Sequence, residues 1–354
     1  MKISYNWIRD YLDIDIEPAR LSHILTGIGL EVEAMEEWDS VKGGLKGIII
    51  GEVLTCQRHP DADKLSVTTV NVGRSEPLHI VCGAPNVAAG QKVPVAMVGA
   101  TVYKGAESLE IKKSKIRGEL SEGMICAEDE LGLGTHHEGI MVLDKDAVPG
   151  TPASDYFGIT KDTVFEIGLT PNRIDSGSHY GVARDLAAYL TINEGSEKKL
   201  TRPSVESFKT DNNENKFDVI IENQTACPRY TGLTISGIKV GESPAWLKTR
   251  LRSIGLNPIN NIVDVTNFVQ HETGQPLHAF DADTIDGRKV IIRNLPDGTK
   301  FTTLDGVVRS LSSKDLMICN VNEGMCIAGV FGGIKSGVTD STRSVFLESA
   351  YFNP

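Results

Sequence analysis

Gly274-Gln275-Pro276-Leu277-His278-Ala279-Phe280-Asp281 is the stretch on which the reading of this chain turns. Gly and Pro punctuate the backbone, and one imidazole is left among Leu, Ala and Phe. Three further stretches join it within the last hundred residues: Asp264-Val265-Thr266-Asn267, Ala328-Gly329-Val330-Phe331-Gly332-Gly333 and Leu347-Glu348-Ser349. Asn267, His278 and Glu348 in apolar settings predict a shaped pocket with a few placed polar groups. A lone histidine is more often structural than catalytic. Glu348 lies in Val345-Phe346-Leu347-Glu348-Ser349-Ala350-Tyr351-Phe352, which reads as a strand. A carboxylate there must pair with a neighbour or read a ligand hydroxyl, because burying it unpaired is costly. One strand carboxylate and one loop imidazole do not by themselves specify a reaction.

Upstream, the chain divides by texture. Residues 217–354 read as an α+β domain still running at Pro354, which predicts a domain that continues further. Residues 196–216 are polar, with Asp211-Asn212-Asn213-Glu214-Asn215, and read as a linker. Residues 40–151 carry short β-rich pieces between turn residues: Ile48–Ile50, Ser66–Val72, His79–Cys82 and Val93–Val98. They predict a small barrel or sandwich. Residues 1–39 open with a helix through Trp7, Ile8, Tyr11 and Leu12, then a second with Leu21, Ile24, Leu25 and Ile28 at helical spacing. Residues 152–195 hold a strand, Thr163–Ile167, and a helix, Gly181–Leu190. This segment is expected to pack back on residues 1–39, making one split domain with the barrel inserted.

Composition narrows the class. The 354 residues are 40% apolar and 23% charged, ordinary for a globular chain. No apolar run is long enough to span a bilayer, so no membrane partner is expected. The six cysteines at 56, 82, 126, 227, 319 and 326 contain no Cys-x-x-Cys, which argues for reduced thiols of a cytoplasmic protein. The net charge of −11 means that any nucleic acid must be bound through a local patch.

Two such patches stand out. Arg58-His59-Pro60-Asp61-Ala62-Asp63-Lys64 lies between strands of the expected barrel. It reads as an Asx turn, as an RNA-contacting loop with Arg58 and Lys64 on phosphates, or less readily as a metal site through His59, Asp61 and Asp63. Lys112-Lys113-Ser114-Lys115-Ile116-Arg117 is the most basic run and could track a phosphate backbone or form a solvated face. Between residues 40 and 151 there are 12 basic and 14 acidic residues, so the barrel is not basic as a whole. His136-His137-Glu138 resembles a metal tripod but reads as a surface loop, and no metal is assigned. Gly329 to Ser336 nearly matches a phosphate-binding loop. Ile334 stands where Gly must precede the lysine, so nucleotide binding is rejected there.

The whole chain resembles the N-terminal part of the bacterial phenylalanine–tRNA ligase β-subunit family. Ile3-Ser4-Tyr5-Asn6-Trp7-Ile8 with Gly27-Ile28-Gly29-Leu30-Glu31-Val32-Glu33 is similar to its start. His59-Pro60-Asp61-Ala62-Asp63-Lys64-Leu65, Val81-Cys82-Gly83-Ala84-Pro85-Asn86 and Lys115-Ile116-Arg117-Gly118 resemble its inserted oligonucleotide-binding (OB) fold. Thr170-Pro171-Asn172-Arg173 resembles the close of the split domain, and Cys227-Pro228-Arg229-Tyr230 through Glu348 resembles its editing domain. The resemblance implies a multidomain α+β chain: a discontinuous α/β N-terminal domain, an inserted OB-fold barrel, and an editing domain of B3/B4 type cut off at the C-terminus. It implies hydrolysis of tyrosine wrongly attached to tRNA(Phe), with Glu348 accepting a bond from the tyrosine hydroxyl. His278, Thr266 and Asn267 would position the ester and its water, with Pro276, Ala328, Gly329 and Gly332 lining the site. Arg58, Lys64, Lys112, Lys113, Lys115 and Arg117 would face tRNA. It further implies an α subunit as partner in an α2β2 tetramer, ATP and Mg²⁺ for the complete enzyme but no cofactor on this chain, and no aminoacylation by this chain alone. Asn257 stands where some members carry Arg, and the family's pocket continues past Pro354. The reading set against this one is a non-catalytic RNA-binding module that uses only the OB fold.

Overall fold

The computed structural model describes residues 1–104, 107–195 and 197–353. Ser196, where the linker is expected to begin, and Pro354, the expected end of the last domain, lie outside the described residues. Two compact units emerge: Met1–Glu36 with Thr163–Pro354, and Glu37–Asp162.

In the first unit, the strand Lys2–Ser4 pairs antiparallel with Lys161–Gly168, with Ile3 opposite Phe165, and Glu31–Asp39 flanks the other edge. The opening helix is shorter than its apolar spacing predicts. It spans only Tyr5–Ile8, capped by the Ser4 hydroxyl, which accepts the Trp7 N–H at 3.0 Å. Tyr11 and Leu12 are still buried because the chain turns back and Leu12 bridges Leu200. Pro18–Gly27 is a helix with Pro at its first position, where a missing N–H costs nothing. His179–Glu194 starts at Ser178, whose hydroxyl accepts the Gly181 N–H, and buries Val182, Leu186 and Leu190 on one face.

Trp7 joins these pieces. Its indole stacks on His179 at 3.9 Å between centroids and on Phe268 at 4.7 Å. His179 is fully buried. Its Nε2 accepts the Ser4 N–H at 3.0 Å, and its Nδ1–H donates to the His271 carbonyl at 2.8 Å. Burial pushes its pKa down to about 3, so the ring is neutral and its tautomer is set by its two partners. Phe268 and His271 belong to the helix Asn261–Thr273, which therefore packs on the same core as residues 1–36. The Asp264-to-Asn267 stretch lies inside this helix. The Asn260 side chain caps it by accepting from Ile262 and Val263 N–H, and no glycine or proline interrupts it until Gly274.

Besides the helix Ala245–Ser253 and the short pair Lys300–Thr302 and Val308–Ser310, this unit holds two larger sheets. One runs in the order Asp218–Ile221, Lys289–Asn294, Leu316–Cys319, Gly324–Ile327, Phe331–Gly332, its first pair parallel and the others antiparallel. The other places Ser344–Tyr351 between Arg229–Ser236 and His278–Asp281, both antiparallel. Phe280, Val290, Ile292, Ile318 and Phe346 form the shared core.

The second unit is a five-stranded sheet in the order Gly123–Ile125, Lys92–Met97, Ile48–His59, Ala62–Asn71, Leu78–Cys82, with its end strands close enough to curl it into a nearly closed barrel. Ile48–His59 is far longer than its apolar start, because register shifts at Val53/Thr55 and Arg58/His59 let it bend from one side of the barrel to the other. All six cysteines are unpaired.

Gly232 marks the tightest packing of the three-stranded sheet. A Cβ there would lie 2.1 Å from the Phe346 ring. Gly232→Ala should therefore destabilise the protein by about 1–3 kcal/mol, read as a lowered urea midpoint. An unchanged midpoint would show that the ring can move aside.

Candidate functional site

The strand Ser344–Tyr351 places Glu348 opposite Gly232 on one side and opposite His278 on the other. Strand alternation then sends Glu348, Phe346, Tyr230, His278 and Phe280 to one face of the sheet. Glu348 is 6% exposed, and the Tyr230 hydroxyl donates to its Oε2 at 3.1 Å. Burial pushes the carboxyl up to about 7, against the pull of that hydrogen bond, which favours the ionised form. Burial, and then the neighbouring carboxylate, push the Tyr230 phenol far up. Burial holds the His278 imidazole below its ordinary 6.5, so it is neutral at neutral pH. Burial also raises the thiols of Cys227 and Cys326, with Glu348 adding to both.

His278 is framed by Phe280, whose ring meets it edge-on at 4.5 Å and 73°, and by Gly332. A Cβ on Gly332 would stand 2.9 Å from His278 Cε1, so only glycine lets this backbone lie against the imidazole. Gln275 ties the preceding loop to the central strand by donating from Nε2 to the Ala350 carbonyl at 3.3 Å; Pro276 beside it is exposed. Ala328 N–H donates to the Leu316 carbonyl at 2.9 Å. Gly329 turns the chain at φ +70°, with Phe352 3.3 Å from where its Cβ would be. Thr266 commits its hydroxyl to the Val263 carbonyl at 2.7 Å within its own helix, and no described hydrogen bond links Thr266 or Asn267 to His278 or Glu348.

The structure thus brings together Glu348, His278 and Gly332, and adds Tyr230, to which sequence reasoning gave no role. Its only sequence signal was membership of Cys227-Pro228-Arg229-Tyr230, and nothing local tells that it meets a carboxylate 118 residues later. Two cavities, of ≈ 620 and ≈ 280 Å³, lie elsewhere, and neither Glu348 nor His278 lines them. Glu348 sits in the packed face of the sheet, 6% exposed, with the Tyr230 phenol against it.

In the barrel unit, His59 is buried and fully engaged. Its Nδ1 accepts the Asp61 N–H at 3.0 Å, and its Nε2–H donates to the Ile116 carbonyl at 3.1 Å. With both ring nitrogens used, it is no metal ligand. Among the described residues no group of three His, Cys, Asp or Glu could hold a metal ion. His136-His137-Glu138 is an exposed loop, with His137 bonded to Asp129 at 2.8 Å. The His59–Ile116 bond brings the backbone of Arg58 beside the hairpin of Ser114–Ile116 and Glu119–Ser121, whose turn is Arg117-Gly118 at φ 52° and 97°. Lys113 is paired with Glu122 at 2.8 Å and Lys112 with Glu110 at 3.2 Å. Arg58, Lys64, Lys115 and Arg117 make no ion pair among the described residues. The ≈ 620 Å³ cleft opens beside this hairpin, lined by Val81, Pro85, Lys112, Ser114, Ile116 and Glu130 among others.

Comparison with known proteins matches residues 226–354 to a B3/4 domain family and residues 48–152 to a tRNA binding domain family. A phenylalanine–tRNA ligase beta subunit of Bacteroides fragilis is 58% identical over 354 residues, covering 100% of this chain and 43% of that protein. Those of Porphyromonas gingivalis and Geobacter metallireducens are 55% and 48% identical, with the same coverage. The chain thus spans less than half the length of these relatives. No helix among the described residues is long and apolar enough to cross a membrane.

The buried carboxyl of Glu348 has a measurable signature. It titrates near 7 in the folded chain against an ordinary 4.5. Below 4.5 both states are protonated. Between the two values the unfolded chain ionises first, so stability falls as pH rises. Above about 7 the loss is complete, on the order of 3 kcal/mol. Glu348→Gln should flatten this slope in urea unfolding between pH 5 and 8; identical slopes would mean that Glu348 is ionised and hydrated in the folded state.

Proposed function

Since the chain belongs to the phenylalanine–tRNA ligase beta-subunit family over its full length, we propose that it supplies the tRNA-contacting and editing parts of that ligase. Its B3/4 region hydrolyses tyrosine wrongly joined to tRNA(Phe). The observation that carries this reading is Glu348, a buried carboxyl in the B3/4-matched segment, held by one phenol and facing a neutral imidazole across the strand pair.

A buried carboxylate rewards a substrate hydroxyl and penalises its absence. A tyrosyl ester offers a phenol to Glu348, whereas a phenylalanyl ester would leave the acceptor unpaired in a desolvated site, and sites of this kind discriminate by large factors. The hydrolysis balances without a cofactor on this chain. Water adds to the ester carbonyl, the bond to the terminal ribose oxygen breaks, and that oxygen takes the proton, releasing tyrosine and uncharged tRNA. His278, neutral and pressed against Gly332, orients the ester or its water. Thr266 and Asn267 act from the helix, and Pro276, Ala328 and Gly329 shape the rim. The complete enzyme uses ATP and Mg²⁺ for charging on its α subunit, in an α2β2 assembly in the cytoplasm; this chain alone does not aminoacylate.

The barrel contributes to tRNA binding through Arg58, Lys64, Lys115 and Arg117, which make no ion pair among the described residues, with Lys112 and Lys113 held in ion pairs. With the barrel near neutral overall, this contact is auxiliary. The rival reading, an RNA-binding module without catalysis, leaves the Glu348 arrangement unexplained.

In the full-length β subunit co-expressed with α, Glu348→Gln should slow tyrosyl-tRNA(Phe) hydrolysis by roughly 10- to 100-fold, the contribution of one charged hydrogen bond, and His278→Ala by roughly 2- to 10-fold, that of a neutral one. Wild-type rates in both would leave the OB-fold binding module as the better reading. Lys64→Gln with Lys115→Gln should weaken tRNA binding at low salt and reduce the slope of log affinity against log salt by about 1 for each phosphate no longer neutralised. An unaltered slope would make these lysines a solvated face.

A further inference from the structure

We propose that Tyr230 is a positioning residue that determines specificity at Glu348: its phenol occupies Oε2 and leaves Oε1 as the acceptor for the substrate's hydroxyl. This rests on the reading of Glu348 as the group that recognises a tyrosyl ester. Tyr230 is 8% exposed and Glu348 6%, and the 3.1 Å bond between them is the one hydrogen bond that the carboxyl receives from a described residue. Oε1 therefore has no protein donor. Among the described residues the one buried side-chain polar atom lacking a partner is Arg293 Nε, so Glu348 Oε1 retains contact with solvent. A carboxylate with two oxygens can accept from two phenols at once. The chain thus presents one of its own phenols to one oxygen and leaves the other without a donor, at the edge of solvent.

The two strands beside Glu348 make this arrangement rigid. Tyr230 lies opposite Ala350, two residue pairs beyond Gly232 and so on the same face, and Gly232 itself is closed over by the Phe346 ring. With no side chain at Gly232, the phenol reaches across to the carboxyl. The other titratable groups facing Glu348 are His278 from the strand His278–Asp281, Cys326 from the strand Gly324–Ile327 and Cys227 just before Arg229–Ser236. None is a cation at neutral pH, since burial keeps the imidazole neutral and the thiols protonated. Tyr230 is thus the group that favours an ionised Glu348 against desolvation. Without its hydroxyl the carboxyl holds its proton to higher pH, and the acceptor that a tyrosine hydroxyl needs is present in a smaller fraction of molecules.

The test is the pH dependence of tyrosyl-tRNA(Phe) hydrolysis between pH 6 and 9, with the enzyme-free rate subtracted. It uses full-length β co-expressed with α as wild type, Tyr230→Phe and Glu348→Gln. The expected result for Tyr230→Phe is an ascending limb displaced upward by roughly one to two pH units, with the rate recovering at the alkaline end. In Glu348→Gln that limb is absent. A Tyr230→Phe limb that coincides with wild type, or a loss of equal size at every pH, overturns the role of Tyr230 while Glu348 keeps its own. A Glu348→Gln enzyme with the wild-type rate and limb overturns the reading of Glu348 instead, whatever Tyr230→Phe does.

Discussion

The strand Ser344–Tyr351 has neighbours on both edges, and that double pairing is the constraint on which the candidate site depends. Its backbone groups are satisfied from both sides, so its register cannot slip by one residue without moving Phe346 and Glu348 to the other face together. The register chooses Gly232 and His278 as the partners of Glu348. Gly232 makes room for Phe346, Phe346 belongs to the core with Phe280, and Phe280 holds the edge of His278. A buried carboxylate is a costly group, and the fold holds it with a single phenol as donor. A plain sheet of this size would be more stable with an apolar residue in its place. Its retention is understandable if the carboxyl recognises something.

A second buried polar group does the opposite. His179 is as deeply enclosed as any residue in the chain, yet both its nitrogens have backbone partners and its ring is sandwiched against Trp7. It joins the strand Lys2–Ser4 to the end of the helix Asn261–Thr273 and has no spare valence for chemistry. His59 is built in the same manner, tying the turn at Asp61 to Ile116. His278 differs from both. It is largely buried, no described hydrogen bond engages its nitrogens, and glycine backbone lies against it. Satisfied histidines hold elements together, while an unsatisfied one beside a carboxyl is free to meet a ligand.

Local sequence dictates the kinds of element and where several of them start and stop. Apolar spacing located the helices Pro18–Gly27 and His179–Glu194, because that period follows from backbone geometry alone, and β-rich runs located the strands around Val164, Val95 and Phe346. Glu348 and His278 also stood out along the chain, since a carboxylate in a strand and an imidazole among apolar residues are unusual locally. The stretch around Asp264 read only as one of the pocket motifs, and the structure places it in a helix capped by Asn260. The first helix read too long, because Tyr11 and Leu12 are buried by a chain reversal that mimics helical spacing. What Glu348 touches is settled in three dimensions alone. Tyr230 is 118 residues away, and its hydroxyl reaches the carboxyl through the register of one strand pair and the absence of a side chain at Gly232. Such a contact arises from three segments paired in space, and no local period or propensity along the chain encodes it.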